Sequence, residues 1–228
     1  MELTLQSAKT IKGEKKGYLT GILYLSAADS SGLMNVCAYA TPECKFTCLG
    51  HTSGRLVMPG PQAAQLRRTT LLHNDRPKFL ETIAKDINSV ISRAKKNEMI
   101  PCIRLNGCSD LPWLAQHFAK AYPYIQFYDY TKIPNPWERT LPNYHITFSR
   151  GETNMIQCME ALKNNINVAV VFSTKRGQDL PKEWNGFEVI DGDENDLRFL
   201  DKKGVVVGLR AKGKARKLPV GGFVQKGS

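Results

Sequence analysis

The sequence predicts an α/β domain: a parallel sheet of about six to seven strands, wound as a partial or full (β/α) barrel, with a cysteine-rich loop after the first strand. Three observations lead there. Short apolar runs rich in Val, Ile, Phe and Tyr recur along the chain, and buried strands read that way. Several of these runs are followed by polar residues and then by a helix-length segment. Strand–helix–strand alternation implies parallel strands joined by right-handed crossovers. A doubly wound open sheet is the alternative, and the sequence leaves the strand order open.

The first strand is Tyr18 to Leu25. Ile100 to Leu105 follows, leading into Asn106, Gly107, Cys108, Ser109 and Asp110. Ile125 to Tyr130 leads into Thr131 and Lys132, and Tyr144 to Phe148 into Ser149 and Arg150. Val168 to Phe172 ends at Ser173, Phe187 to Ile190 at Asp191, and Val205 to Leu209 at Arg210. Pro77 to Asn97 is the clearest helix. Phe79, Leu80, Ile83, Ile87, Val90, Ile91 and Ala94 form one apolar stripe, and Asp75 stands where an N-cap belongs. Trp113 to Ala121 and Asn154 to Asn164 are shorter helices. Proline-rich Ile133 to Pro142, and Thr174 to Trp184, are expected to be irregular. Residues 1–228 read as a single domain, with 1–16 and 213–228 as flexible basic ends.

In either fold, ligands bind at the carboxyl ends of the strands. Asn106, Ser109, Asp110, Asp129, Lys132, Ser149, Ser173, Asp191 and Arg210 are therefore expected around one mouth. Asp191, Asp193, Glu194 and Asp196 form an acidic run that could hold a divalent cation or ribose hydroxyls, or be a plain acidic turn.

The formal net charge is +11, which favours a nucleotide or nucleic acid as partner. No run approaches the roughly 20 apolar residues that span a bilayer, and Met1 to Lys16 lacks the apolar core of a signal peptide. The expected compartment is the cytoplasm, with no membrane partner. The phosphate-loop, dinucleotide-fingerprint, nucleophile-elbow and zinc-deaminase patterns are all missing.

The richest chemistry lies in NVCAYATPECKFTCLGHTSGR, Asn35 to Arg55. Cys37, Cys44 and Cys48 are spaced C-x6-C-x3-C, with His51 three residues on. In a reducing compartment such clustered thiols more often bind metal than form disulfides. One reading is a [4Fe–4S] cluster on three thiolates, leaving one iron open to S-adenosylmethionine. Another is zinc with His51 as fourth ligand. A third is unligated core thiols. Cys102, Cys108 and Cys158 read as scattered.

The cysteine loop with Ser53, Gly54 and Arg55, then Arg67 and Arg68, resembles the phage "gene product 88" family. RLNGCSD (Arg104 to Asp110), FYDYTK (Phe127 to Lys132), NYHITFSR (Asn143 to Arg150) and DGDENDLRFLD (Asp191 to Asp201) extend the match across about Ser7 to Lys212. The resemblance implies a bacteriophage origin and a bacterial host cytoplasm, without naming an activity. A looser similarity is to radical S-adenosylmethionine enzymes, which share the barrel-like fold and a three-cysteine loop after the first strand. The usual C-x3-C-x2-C spacing and a plain Gly-Gly-Glu are absent. On that similarity Cys37, Cys44 and Cys48 would ligate iron. Asn106, Ser109, Asp110 and Ser149 would hold the cosubstrate, and Lys132, Asp191 and Arg210 would act on a nucleotide or nucleic-acid substrate. The alternative is a zinc-stapled nucleic-acid-binding protein without catalysis.

Overall fold

The computed structural model of the chain describes residues 2–52 and 54–227; Ser53, at the end of the cysteine loop, lies outside them. Helix α1 (Ala8–Glu14) precedes strand β1 (Tyr18–Ile22). Helices α2 (Pro42–Thr47), α3 (Leu49–Thr52), α4 (Pro59–Asn74) and α5 (Arg76–Lys96) then lead to β2 (Ile100–Arg104). Helix α6 (Pro112–Ala121), β3 (Gln126–Thr131), β4 (Tyr144–Ser149), α7 (Met155–Lys163) and β5 (Val168–Phe172) continue the alternation. The chain ends with β6 (Glu183–Trp184), β7 (Phe187–Asp191), β8 (Val206–Arg210) and β9 (Val224–Gln225).

The sheet has nine strands in the order β1-β2-β3-β4-β5-β8-β7-β6, with β9 also pairing β5. Among these strands only β6–β7 pair antiparallel; every other pairing is parallel. The sheet is not closed, so the architecture is an α/β fold on an open, mostly parallel sheet and not a full barrel. The two strands absent from the sequence expectation, β6 and β9, are two residues each.

Strand order dictates what covers each face. From β1 to β5 the chain steps always in one direction. Right-handed crossovers then put α5, α6 and α7 on the same face, where they pack against β1 through β5. After β5 the order reverses, because β8 inserts between β5 and β7. A right-handed step backwards must cross the opposite face, so residues 192–205 lie over the side away from α5, α6 and α7, beside α1, whose Gly13 abuts Leu197. There Leu197 and Phe199 pack on Cys102, Tyr128 and Tyr18, with the Tyr18 and Phe199 rings edge-on at 5.3 Å.

Helix α5 forms as its pattern predicts. The Asp75 carboxylate accepts from the Lys78 amide at 2.9 Å. Phe79, Ile83, Ile87, Val90 and Ala94 are buried along one stripe against Leu19, Ile103 and Phe127. Helix α4 was not expected, because its buried stripe is largely polar: Gln65, Thr69 and Leu72. Gln65 Nε2 donates to the Gly50 carbonyl at 3.2 Å, and the Ser26 amide donates to Thr69 Oγ1 at 2.9 Å. The helix thus grips the loop after β1 through hydrogen bonds. Arg67 and Arg68 both pair with Glu2, at 2.8 and 2.7 Å.

The two ends expected to be flexible carry structure: α1 at one, β9 and a 3₁₀ turn (Gly213–Lys217) at the other. Among the described residues no helix is long and apolar enough to cross a membrane.

Gly107 marks the closest approach in the β2 tip. Its amide donates to the Leu23 carbonyl at 2.9 Å, and a Cβ there would stand 2.6 Å from both Leu23 O and Tyr24 Cδ1. Gly107→Ala is expected to cost about 1–3 kcal/mol. In urea unfolding this should appear as a lower midpoint at unchanged slope.

Candidate functional site

The cysteine loop emerges from the carboxyl end of β1 and is fastened to two other segments. Glu152, just after β4, caps helix α2: Oε1 accepts from the Glu43 amide at 2.9 Å and Oε2 from the Thr41 hydroxyl. Glu43 in turn accepts from the Phe223 amide at 2.7 Å, and the Arg150 guanidinium donates to the Gly222 carbonyl. The chain's last segment is thereby strapped across the strand tips, where β9 pairs with the end of β5.

Cys37, Cys44 and Cys48 are all half-buried free thiols within this enclosure. Burial pushes the Cys37 thiol up to about 12, with Asp110, Cys44 and Cys48 adding to the rise and Lys132 opposing it. Cys48 is raised by burial and by Cys44, against the Gly50 amide and Lys132. The three thiols thus share one electrostatic neighbourhood with Lys132. A thiol held this high is a poor free nucleophile; a bound metal would be needed to deprotonate it. Among the described residues no group of three or more His, Cys, Asp or Glu side chains is gathered closely enough to hold a metal ion. His51 is exposed on α3.

Cys108 is not scattered, contrary to the sequence expectation. The β2 tip presses it against α3, where a Cβ on Gly50 would meet Cys108 Cβ at 2.8 Å and Sγ at 2.9 Å. Its thiol donates to the Leu25 carbonyl at 3.1 Å. Its place just after a strand, in RLNGCSD, was the available signal. Cys102 and Cys158 are fully buried.

The residues assigned to a cosubstrate are bonded largely to one another. Asn106 Oδ1 accepts from Ser109 Oγ and the Leu111 amide, both at 2.9 Å. Its Nδ2 donates to Asp129 Oδ2 at 2.9 Å, while its backbone amide donates to Oδ1 at 2.8 Å. Asp110 accepts from the Thr131 hydroxyl at 2.7 Å and the Lys132 amide at 2.8 Å. This network welds the tips of β2 and β3 and aims the chain at Lys132. Ser149 is half-buried at the end of β4, with its carbonyl taking a bond from Asn154 Nδ2 at 3.0 Å. Ser173 Oγ accepts from the Gly227 amide at 2.9 Å.

Asp191 and Arg210 pair with each other at the ends of β7 and β8, with Arg210 in register with Phe172 of β5. Arg210 pairs with Asp191 at 2.8 Å and Asp193 at 3.3 Å, and Lys212 pairs with Asp193 at 2.5 Å. The acidic run is thus divided, since Asp196 turns inward to Arg104 at 2.7 Å. Tyr128 and Tyr130 face that covered side rather than the mouth. Tyr130 lies beneath the Arg104 guanidinium at 4.6 Å. Glu152 and Glu43, which organise the enclosure together with Arg150, had no motif to reveal them.

The profile of the family described as "Gene product 88" matches residues 1–221. The chain belongs to the Gene product 88 family. No curated protein and no solved structure matches it. The segments that carried the phage-family resemblance now have places in gene product 88 architecture. The Cys37–Cys48 loop and RLNGCSD meet where α3 packs on the β2 tip. NYHITFSR supplies β4 and Arg150, and DGDENDLRFLD covers the face opposite α5, α6 and α7.

Proposed function

We propose that this chain is an iron–sulfur enzyme of radical S-adenosylmethionine type, acting on a nucleotide or nucleic acid. The observation that carries the reading is that half-buried Cys37 and Cys48 each feel Cys44 and Lys132 beside the strand tips of an open parallel sheet, although the three thiols are not gathered into a ready-made metal site. Cys37, Cys44 and Cys48 are the donor set, and thiolates are the usual ligands of such clusters. A bound cluster with one open iron would supply one-electron reduction of S-adenosylmethionine. The chain's own residues supply the setting. Lys132 brings positive charge to offset thiolate charge. The Asn106–Asp110 network holds Lys132's backbone in place. Arg150 and the strap at Gly222 cover the enclosure and limit water. The net charge of +11 supports a polyanionic substrate.

Anaerobic purification with elemental analysis tests the reading. The expected preparation is brown, absorbs at about 400 nm and carries about four irons per chain. Cys37→Ala, Cys44→Ala and Cys48→Ala should each lose the iron, while Cys102→Ser, buried against Thr20, should keep it. A colourless chain with one zinc would replace this reading with the zinc-stapled nucleic-acid-binding protein.

A further inference from the structure

We infer that helix α2 and the basic strap beside it form a platform for single-stranded nucleic acid; this rests on the enzyme reading above and names the form of its substrate. The cysteine loop alternates in exposure. Cys37, Cys44 and Cys48 are half-buried, whereas the aromatics between them stand out: Tyr39 is 51% exposed and Phe46 47%. Neither belongs to a hydrophobic core cluster.

Residues 211–228 contain Lys212, Lys214, Arg216, Lys217 and Lys226 and no carboxylate side chain. The 3₁₀ turn Gly213–Lys217 packs on α2 and α3. Ala215 is its buried anchor, which leaves Lys214, Arg216 and Lys217 exposed. Lys214 Nζ sits 5.1 Å from the Phe46 ring centroid. The nearby carboxylates are occupied: Glu43 by the Phe223 amide, Asp29 by Lys45 and Asp193 by Lys212. Among the described residues no ion pair holds Lys214, Arg216 or Lys217.

Exposed rings interleaved with cations are what an unpaired strand requires. Phosphates take the cations, and bases stack on the rings. A duplex keeps its base faces stacked internally and could use only the charges. Phe46 also lies on the same short helix as Cys44, and Tyr39 between Cys37 and Cys44, so a strand seated there would run past the thiol enclosure.

The test is fluorescence anisotropy with labelled oligothymidylate, oligouridylate and a DNA duplex of equal length, over a range of salt. Both single strands should bind more tightly than the duplex; whichever binds better identifies DNA or RNA as the source. The K214A/R216A/K217A variant should flatten the log–log salt slope by about 2, at roughly 0.7 for each cation removed from a phosphate. Phe46→Ala and Tyr39→Ala should each weaken single-strand binding at least about fivefold without changing the salt slope. Equal binding of duplex, indifference to the ring substitutions, or binding to anionic lipid vesicles in place of oligonucleotide would overturn the proposal. Iron assayed on the same preparations separates the two readings. Binding without iron leaves the platform standing and removes the cluster; iron without binding removes the platform alone.

Discussion

Asp196→Ala is expected to lower the unfolding free energy by about 3–5 kcal/mol, and the thermal midpoint by roughly 10 °C for a chain of this size. Arg104 is buried beneath the segment that crosses the face opposite α5, α6 and α7, and its charge is opposed by burial. Asp196, supported by Tyr130, Tyr128 and Tyr24, keeps it charged. The carboxylate accepts from Arg104 at 2.7 Å and from the Tyr130 hydroxyl at 3.4 Å. Arg104 Nε already lacks a partner, so removing Asp196 would leave a buried guanidinium supported mainly by the Tyr130 ring. Replacing both members with apolar residues, as in R104M/D196L, should recover most of the loss, because the penalty is that of an uncompensated charge. Calorimetry of the three proteins decides the matter. A double variant no more stable than Asp196→Ala would mean that packing, not charge, dominates there.

The second large effect is a pH dependence centred on Asp129. Burial pushes its carboxyl up from the ordinary 3.8 to about 7, against the Asn106 side-chain and amide bonds and the charge of Arg104. A group whose pKa is raised on folding contributes stability that is complete below the unfolded value. That contribution is lost as pH rises through the folded value. Stability should therefore fall by about 4 kcal/mol between pH 4 and pH 7 on this account. His145 works in the opposite sense. Burial, Arg198 and Lys203 push its pKa down to about 4, so its contribution is present above the unfolded pKa and disappears as pH falls. The two slopes partly cancel in the wild-type protein, and Asp129→Asn separates them. The amide introduced by that substitution could donate to the Tyr144 oxygen, while Asn106 Nδ2 retains the Leu111 carbonyl at 3.3 Å. Urea unfolding should show Asp129→Asn less stable than wild type at pH 5 and at least as stable at pH 8. Parallel profiles at the two pH values would mean that Asp129 keeps its charge in the folded state.

Most strands were legible because each is an apolar run ended by polar residues, and the β1–β5 runs sit near the edges of the observed strands. Helix α5 was legible because Phe79, Ile83, Ile87, Val90 and Ala94 keep a 3.6-residue rhythm. Helix α4 was not, since Gln65 and Thr69 are buried by virtue of partners at Gly50 and Ser26 that no periodicity reveals. The site was legible in part. Cysteine spacing pointed to the thiol group, and strand ends pointed to Asp110 and Lys132. Asp191 and Arg210 also sit at strand ends, yet they are taken up by pairing with each other and with Asp193, which no local pattern announces. The capping of α2 by Glu152 joins residues about a hundred positions apart, and nothing in either local sequence announces it.

The reversal at β8 also has a meaning for biosynthesis. Strand β5 needs residues 206–210 as its neighbour, and the Arg104–Asp196 pair spans 92 positions. While the ribosome still holds the last quarter of the chain, β1–β5 can assemble, but one border of β5 and a lone guanidinium stay uncovered. Such a nascent species is vulnerable to strand-edge association, and completion must wait for translation to release the closing segment.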